Sequence, residues 1–172
     1  MDFQKIHDFI YAQRSISEHS IHGSAHWAQV EFNGLFLAGL NGADSDVVRL
    51  FALFHDSRRI DDGYDKKHGP RGAELAREVR NELLPIDDEK FAMLYLACMA
   101  HTVASRTSAV TVDTCFDADR LDLVRIGVMP DPVRMATPEG AAIARLAQRE
   151  GITPDKFRAW IRALDPKKII VE

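Results

Sequence analysis

The sequence predicts an all-α protein that folds as a single domain. Apolar residues recur at intervals of three and four along almost every segment, which is the spacing of one face of a helix. A length of 172 residues fits one domain. A composition of 46% apolar and 28% charged residues supports one sizeable core and disfavours disorder. We therefore expect one bundle of about seven helices across residues 1–172.

The first helices follow from shared apolar faces and from residues that begin and end helices. The first begins with apolar residues on one face, Phe3, Ile6, Phe9 and Ile10. Ser24 is the expected cap of a second helix, which ends at about Gly39. The turn-rich segment LNGADSD then leads into a third helix at about 46–56. This third helix, VVRLFALFHD, is apolar almost all round, so we expect it to be buried.

Prolines and aspartates delimit the elements that follow. Residues 57–68 are predicted to form a polar loop, and Pro70 then begins a helix that Pro85 ends. Asp87 or Asp88 is the expected cap of the apolar helix KFAMLYLACMAHTV. The segment SRTSAVTVDTCF is ambiguous, because its β-branched residues suit a short extended stretch but no partner strand is evident.

The last third of the chain is predicted to be helical with one proline-rich interruption. A helix is expected at about 117–128, followed by a loop, MPDPVRMATP, that contains three prolines. Helices at about 139–150 and 154–164 come next, the second with Pro154 in its first turn. The tail DPKKIIVE is expected to be docked or frayed.

Charge and composition argue against several classes of protein. The formal charge of −4 provides no positive field for a protein that coats nucleic acid. No apolar run approaches the length of a membrane span, and the first residues lack the apolar centre of a signal peptide. The two cysteines, Cys98 and Cys115, have apolar neighbours and are expected to be buried thiols. A cytoplasmic protein without membrane contact is the expectation.

Polar residues interrupt the apolar helices in a recurrent way. The third helix ends in His55 and Asp56, and the later apolar helix ends in His101. His22 and His26 are four residues apart, which places them on one helix face. A buried carboxylate without a partner is costly, so these groups need salt bridges or a shared metal ion. Mixed histidine and aspartate ligands suit Mn²⁺, Fe²⁺, Co²⁺, Ni²⁺ or Zn²⁺.

A plainer interpretation of the same residues remains open at this point. A histidine at the end of an apolar helix is often a satisfied core or capping residue. Aspartates near helix starts often serve as caps or as partners of the helix dipole. That interpretation covers Asp87, Asp88, Asp117 and Asp122.

The ordered set of these residues resembles the HD-domain superfamily of metal-dependent phosphohydrolases over roughly residues 20–128. His26 in HGSAHWAQV matches the family's first histidine, His55-Asp56 match the dyad that names the family, and Asp119 in DADRLD matches its distal aspartate. The resemblance implies an all-helical fold in which these four residues bind a divalent metal. Asp56 is then also the expected catalytic residue.

Two further histidines resemble those of family members that bind two metal ions. His68 and His101 stand where such members place their additional ligands. Two features depart from related groups. Arg59-Ile60 replaces the acidic pair of the nucleotide-polyphosphate hydrolases, and Thr102 replaces the second histidine of the cyclic-dinucleotide phosphodiesterases.

What the resemblance implies is a hydrolase that uses one or two divalent ions, among Mn, Co, Ni, Fe, Zn and Mg, to cleave a nucleotide or other small phosphoester. Arg59, Lys67 and His22 are the expected substrate contacts, and His22 is equally interpretable as a partner of a ligand or as a structural residue. Two alternatives stay open: an HD-fold di-iron oxygenase and a non-catalytic metal-binding regulatory module. The helices after residue 138 lie outside the resemblance, and whether they cover the site or form a homodimer surface is also open.

Overall fold

A computed structural model describes residues 1–171, and helices are the regular structure within that range, which confirms the predicted all-α class. Three short 3-10 segments connect or follow the later helices, at Leu121–Ile126, Pro132–Arg134 and Pro166–Lys168. The α-helices are α1 Phe3–Ala12, α2 Ser24–Asn41, α3 Ser45–Phe54, α4 His68–Glu78, α5 Arg80–Leu83, α6 Asp88–Ala100, α7 Val110–Arg120, α8 Pro138–Arg149 and α9 Pro154–Arg162.

The helices enclose two adjoining apolar clusters. Helix α2 packs against α3 and α7, and α6 packs against α3, α4 and α7. The larger cluster lies among these helices and includes Trp27, Phe51, Phe54, Leu94 and Phe116. A smaller cluster joins α2 to the C-terminal helices and includes Leu37, Leu121, Ile143, Phe157 and Ile161. None of the helices described is long and apolar enough to cross a bilayer.

Two glycines let α4 approach its neighbours closely. A Cβ atom on Gly72 would lie 2.2 Å from the Phe54 carbonyl oxygen at the end of α3. A Cβ atom on Gly69 would lie 2.5 Å from the Cys98 carbonyl oxygen at the end of α6. Both distances are far inside normal contact, so only glycine permits this packing. As a result, the start of α4 meets the C-terminal ends of α3 and α6.

Several predicted boundaries shift, and two of the shifts affect candidate site residues. Helix α4 begins at His68 rather than at Pro70, so His68 is a helical residue. Helix α3 ends at Phe54, with His55 at its C-cap, so Asp56 lies just beyond the helix. The prediction that Ser24 caps α2 is wrong by one residue, because Gly23 is the cap.

The ambiguous segment at 105–116 is helical only from Val110 onwards, so the predicted helix start at 117 is wrong by seven residues. Helix α7 begins at Val110, and a 3-10 segment replaces the last predicted turns after Arg120. Thr107 donates from its backbone N and its Oγ1 to Asp113 Oδ1, at 2.7 and 2.9 Å, and so closes the first turn. The β-branched residues Thr111, Val112 and Thr114 are buried against other helices. Tertiary packing therefore overrides their local preference for extended backbone.

Candidate metal centre

Three of the predicted ligands meet where α2, α3 and α7 come together; we call this group site 1. His26 lies in the first turns of α2, His55 at the C-cap of α3, and Asp119 in the last turn of α7. His26 Nε2 is 3.1 Å from His55 Nε2 and 3.3 Å from Asp119 Oδ1. The three ligand atoms lie within 4.8 Å of one another, which is compatible with one shared cation.

A second group of three, which we call site 2, lies beside it. It consists of Asp56, His68 at the start of α4 and His101 at the C-cap of α6. His68 Nε2 is 2.9 Å from His101 Nε2 and 3.2 Å from Asp56 Oδ1. These ligands come together because Gly69 and Gly72 bring α4 onto the ends of α6 and α3.

The carboxylate of Asp56 lies between the two sites. Its Oδ2 is 3.6 Å from the Nε2 atoms of both His26 and His55, whereas its Oδ1 faces His68. The rings of His55 and His101 are in edge contact, with centroids 5.4 Å apart. A carboxylate with one oxygen towards each group is suited to bridge two cations.

Hydrogen bonds from the other ring nitrogen orient all four imidazoles. Each Nδ1 faces an acceptor: the partners are Phe51 O at 3.1 Å for His55, Asp65 O at 2.5 Å for His68, Cys98 O at 2.9 Å for His101 and Asp122 Oδ2 at 2.7 Å for His26. A carbonyl oxygen can only accept, so we infer that Nδ1 carries the proton in His55 and His101. We infer the same for His68, because its 2.5 Å contact with Asp65 O is shorter than its 2.9 Å contact with the donor Arg59 Nη1. The Nε2 atoms of neutral rings then present lone pairs to the sites.

The donor set therefore fits a metal ion. In site 2, two Nε2 lone pairs face each other at 2.9 Å with an Asp56 oxygen beside them, and all three residues are buried. Facing lone pairs repel one another unless a cation or a proton lies between them. A divalent ion satisfies the imidazoles and the carboxylate together, and mixed nitrogen and oxygen ligands favour a transition metal over Ca²⁺ or Mg²⁺.

The protonation states that a metal requires largely exist already. Burial lowers the pKa of His55 to about 3 and lowers that of His68. Burial opposes ionisation of Asp56 and Asp119, but neighbouring histidines outweigh it and hold the pKa of each carboxyl below its usual value. Burial also opposes protonation of His26, but its hydrogen bonds to Asp119 and Asp122 raise its pKa. Neutral imidazoles and ionised carboxylates are the forms that bind metal, so His26 is the ligand whose proton competes with an ion.

His22 contacts the bridging carboxylate. Its Nδ1 is 2.7 Å from Asp56 Oδ2 and 3.3 Å from an Arg125 guanidinium nitrogen, and the residue is buried. Of the roles left open for His22, the geometry favours a partner of Asp56. A position as a further ligand is also compatible, because His22, His26 and Asp56 form a third possible metal group.

Asp122 supports His26, so the plain helix-cap interpretation of this residue is wrong. The side chain is fully buried, and its Oδ2 accepts the hydrogen bond from His26 Nδ1. Arg158 of α9 binds the same carboxylate through Nε and Nη2, both at 2.8 Å. The capping interpretation is confirmed for Asp87, which caps α6. Asp117 is not a cap: it accepts from the backbone N of Ala136 and Thr137 and from Thr137 Oγ1, and so holds Thr137, the residue that caps α8.

The predicted substrate contacts have different surroundings. Arg59 is buried beside site 2, with Nη1 2.9 Å from His68 Nδ1 and 3.5 Å from Asp56 Oδ1. It also donates to the Gly63 carbonyl oxygen, which ties it to the loop before α4. Lys67 is exposed at the N-cap position of α4, one residue before His68.

A cleft of ≈ 400 Å³ opens outwards from site 2. Tyr64 and Val103 flank it and are 88% and 82% exposed, although both are large apolar side chains. The Lys66 Nζ lies 5.3 Å from the centroid of the Tyr64 ring. The cleft is lined by Arg59, Tyr64, Asp65, Lys66, His68, Thr102 and Val103.

Sequence reasoning missed Arg125 and Arg158, because single arginines on polar helix faces carry no local signal of a long-range partner. For Asp122 a signal existed, since it follows Asp119 by three residues and so shares its side of the helix. Comparison of the chain with protein-family models, with curated proteins and with solved structures finds no match.

Proposed function

We propose that this protein is a metal-dependent phosphohydrolase that acts on a nucleotide or another small phosphoester. The observation that supports it best is the convergence of four imidazole Nε2 atoms on the carboxylates of Asp56 and Asp119, in two adjoining groups. The same residues carry the resemblance to the HD-domain phosphohydrolases, in the same order along the chain.

The residues would divide their roles by position. Site 1 would hold one ion and site 2 a second, with Asp56 shared between them. When bound, divalent ions in such a centre lower the pKa of a water molecule, so that hydroxide is available at neutral pH to attack phosphorus, and they offset the negative charge of the phosphoryl group. His22 would hold the Asp56 carboxylate in its bridging orientation through the 2.7 Å bond. Arg59 would present the guanidinium edge that faces site 2 to phosphate oxygens, to which arginine is a strong donor.

The cleft beside site 2 would receive the organic part of the substrate. His68 and Arg59 are buried residues of its lining, whereas Tyr64 and Val103 are exposed, so a phosphoryl group at the ions would place the remainder of the molecule between Tyr64 and Val103. A volume of ≈ 400 Å³ is in the range of small-molecule sites. An exposed tyrosine ring offers a flat surface for a nucleobase, and Lys66 adds positive charge.

The first test combines a metal assay with a phosphatase screen. Wild-type protein loaded with Mn²⁺, Co²⁺ or Ni²⁺ should release phosphate or pyrophosphate from a member of a panel of nucleotides and sugar phosphates. Asp56→Ala should abolish this activity and reduce metal content with helical content unchanged, whereas His19→Ala should behave as wild type because His19 is 88% exposed. Full activity in Asp56→Ala would exclude the centre as the site of hydrolysis. Oxygen consumption by an iron-loaded protein without phosphate release would support the di-iron oxygenase instead.

The second test separates the base from the phosphate. Tyr64→Ala should raise KM for adenosine 5′-monophosphate on the order of ten-fold, the typical loss of one stacking contact. It should leave ribose 5-phosphate, which has no base, unaffected. Val133→Ala is the matched control, because Val133 is 91% exposed outside the cleft. If Tyr64→Ala has the same KM as wild type for adenosine 5′-monophosphate as well as for ribose 5-phosphate, the cleft is excluded as the base site.

A further inference from the structure

Helix α9 contacts the support of site 1, although it lies outside the segment that carries the resemblance. Arg158 binds both oxygens of Asp122 in a bidentate pair, at 2.8 and 2.8 Å. Asp122 in turn accepts from His26 Nδ1 at 2.7 Å. Asp122 and His26 have exposed side-chain fractions of 0% and 1%, whereas the Arg158 side chain is 38% exposed. The three groups form a continuous chain from the surface of α9 to the Nε2 atom at site 1.

The burial of Asp122 explains why it is paired with Arg158. A fully buried carboxylate needs hydrogen bonds or an opposite charge on both oxygens. Asp122 has one oxygen bonded to His26 and to Arg158, and the other bonded to Arg158. If the guanidinium is removed, one oxygen loses its partner, and the carboxylate is free to turn away from His26. The outer-shell bond on Nδ1 is what fixes the orientation and tautomer of a metal-binding histidine.

We infer that Arg158 is a positioning residue that, through Asp122, sets the metal affinity of site 1. Site 2 lies outside this chain of contacts, because its histidines bond through Nδ1 to the carbonyl oxygens of Asp65 and Cys98. The effect of losing Arg158 should therefore be confined to one of the two groups. It requires that site 1 bind a metal ion, as the proposed function holds, but it does not depend on the reaction or the substrate.

The same helix offers a matched control. Arg162 follows Arg158 by one helical turn and likewise makes two side-chain bonds, from Nε and Nη2 to Gln29 Oε1 in α2 at 3.2 and 2.8 Å. Gln29 donates to Asn33, which donates to the Ala118 carbonyl oxygen, so this chain of bonds ends on backbone and contacts no ligand side chain. Loss of either arginine removes a side-chain contact of α9, that of Arg158 with the 3-10 segment Leu121–Ile126 or that of Arg162 with α2, but only Arg158 reaches His26.

The experiment measures metal affinity at one site at a time. The parent protein is His101→Ala, in which site 1 is the intact group. Co²⁺ is titrated by calorimetry into this parent and into the same protein with Arg158→Met or Arg162→Met added. Methionine keeps an unbranched apolar stem and removes the guanidinium. Arg158→Met should weaken Co²⁺ binding about 10- to 100-fold, and Arg162→Met should leave it within two-fold. The same two variants in a His26→Ala background, where site 2 is intact, should bind Co²⁺ as their parent does.

Two further variants keep the test decisive if Arg158→Met folds poorly. Asp122→Asn removes the charge with little change in shape, and Arg158→Lys keeps the charge but not the bidentate geometry; both should weaken site 1 selectively. Equal Co²⁺ affinity in Arg158→Met, or equal losses in Arg158→Met and Arg162→Met, would overturn the inference and leave the proposed function untouched. Selective loss at site 1 in a protein that hydrolyses no phosphoester would support the inference and reject the function.

Discussion

Gly72 offers a test of how the fold assembles site 2. In Gly72→Ala, the new methyl group would lie 2.2 Å from the Phe54 carbonyl oxygen and 3.1 Å from that of His55, where 3.4 Å or more is normal. Both acceptors belong to backbone, which cannot rotate away, so α4 must move from α3 by on the order of 1 Å. His68 is one turn earlier on α4 and moves with it. Its Nε2 is now 3.2 Å from Asp56 Oδ1, and a shared ion tolerates only about 0.2 Å of change in ligand distance.

The same substitution at Gly39 isolates the effect of the clash. Gly39 lies within α2, is exposed, and has no atom within 4 Å of an added Cβ. Gly39→Ala should therefore stabilise the protein by about 0.5–1 kcal/mol through helix propensity alone. Gly72→Ala shares that gain, so the difference in free energy of unfolding between the two variants measures the clash, about 1–3 kcal/mol. For a chain of this length each kcal/mol shifts Tm by about 2–4 °C.

Two measurements decide the outcome. Urea unfolding of both metal-free variants gives the energetic difference, and metal analysis after Mn²⁺ loading gives the number of ions bound. We expect Gly72→Ala to lose the site 2 ion and keep that of site 1, while Gly39→Ala keeps both. A Gly72→Ala protein as stable as Gly39→Ala, with two ions bound, would refute the close packing of α4 on the end of α3.

Three further predictions concern the metal, acidity and the C-terminal helices. Removal of divalent ions with a chelator should lower Tm, and Mn²⁺ at 100 times its Kd should restore about 2.7 kcal/mol of stability, as seen by thermal melts. Burial lowers the pKa of His55 from 6.5 to about 3, so the unfolded metal-free chain binds a proton that the folded chain cannot. The stability that neutral His55 contributes should therefore be lost as pH falls from about 6.5 towards 3. When the urea midpoint of unfolding is measured against pH, His55→Asn should flatten the curve in that range. Asp117→Ala should cost about 1–3 kcal/mol in urea unfolding without changing metal content, because it leaves buried donors of Ala136 and Thr137 unpaired.

Local sequence signals were sufficient for the helical class, whereas the candidate ligands were selected as a set through the resemblance to the HD-domain superfamily. The spacing of apolar residues identified the buried helices α3 and α6, and an apolar helix that ends in His55-Asp56 or His101 necessarily carries those polar groups to the edge of the core. Local chemistry also placed the cap of α6 at Asp87 or Asp88, and the structure has it at Asp87, since capping depends on residues three apart. These features are recoverable because each depends on neighbours within one or two helical turns.

Partners distant along the chain were decided only by tertiary structure. The segment before Asp117 was ambiguous by composition, and its part from Val110 onwards is helical because α2, α3 and α6 bury its β-branched residues. The bond from His26 to Asp122 joins residues 96 positions apart, and that from Arg158 to Asp122 spans 36. No local propensity reports such a contact. The sequence alone determined which side chains must be buried, whereas the packing of helices at two glycines and one aspartate decided which of them meet, because those distances depend on the whole core.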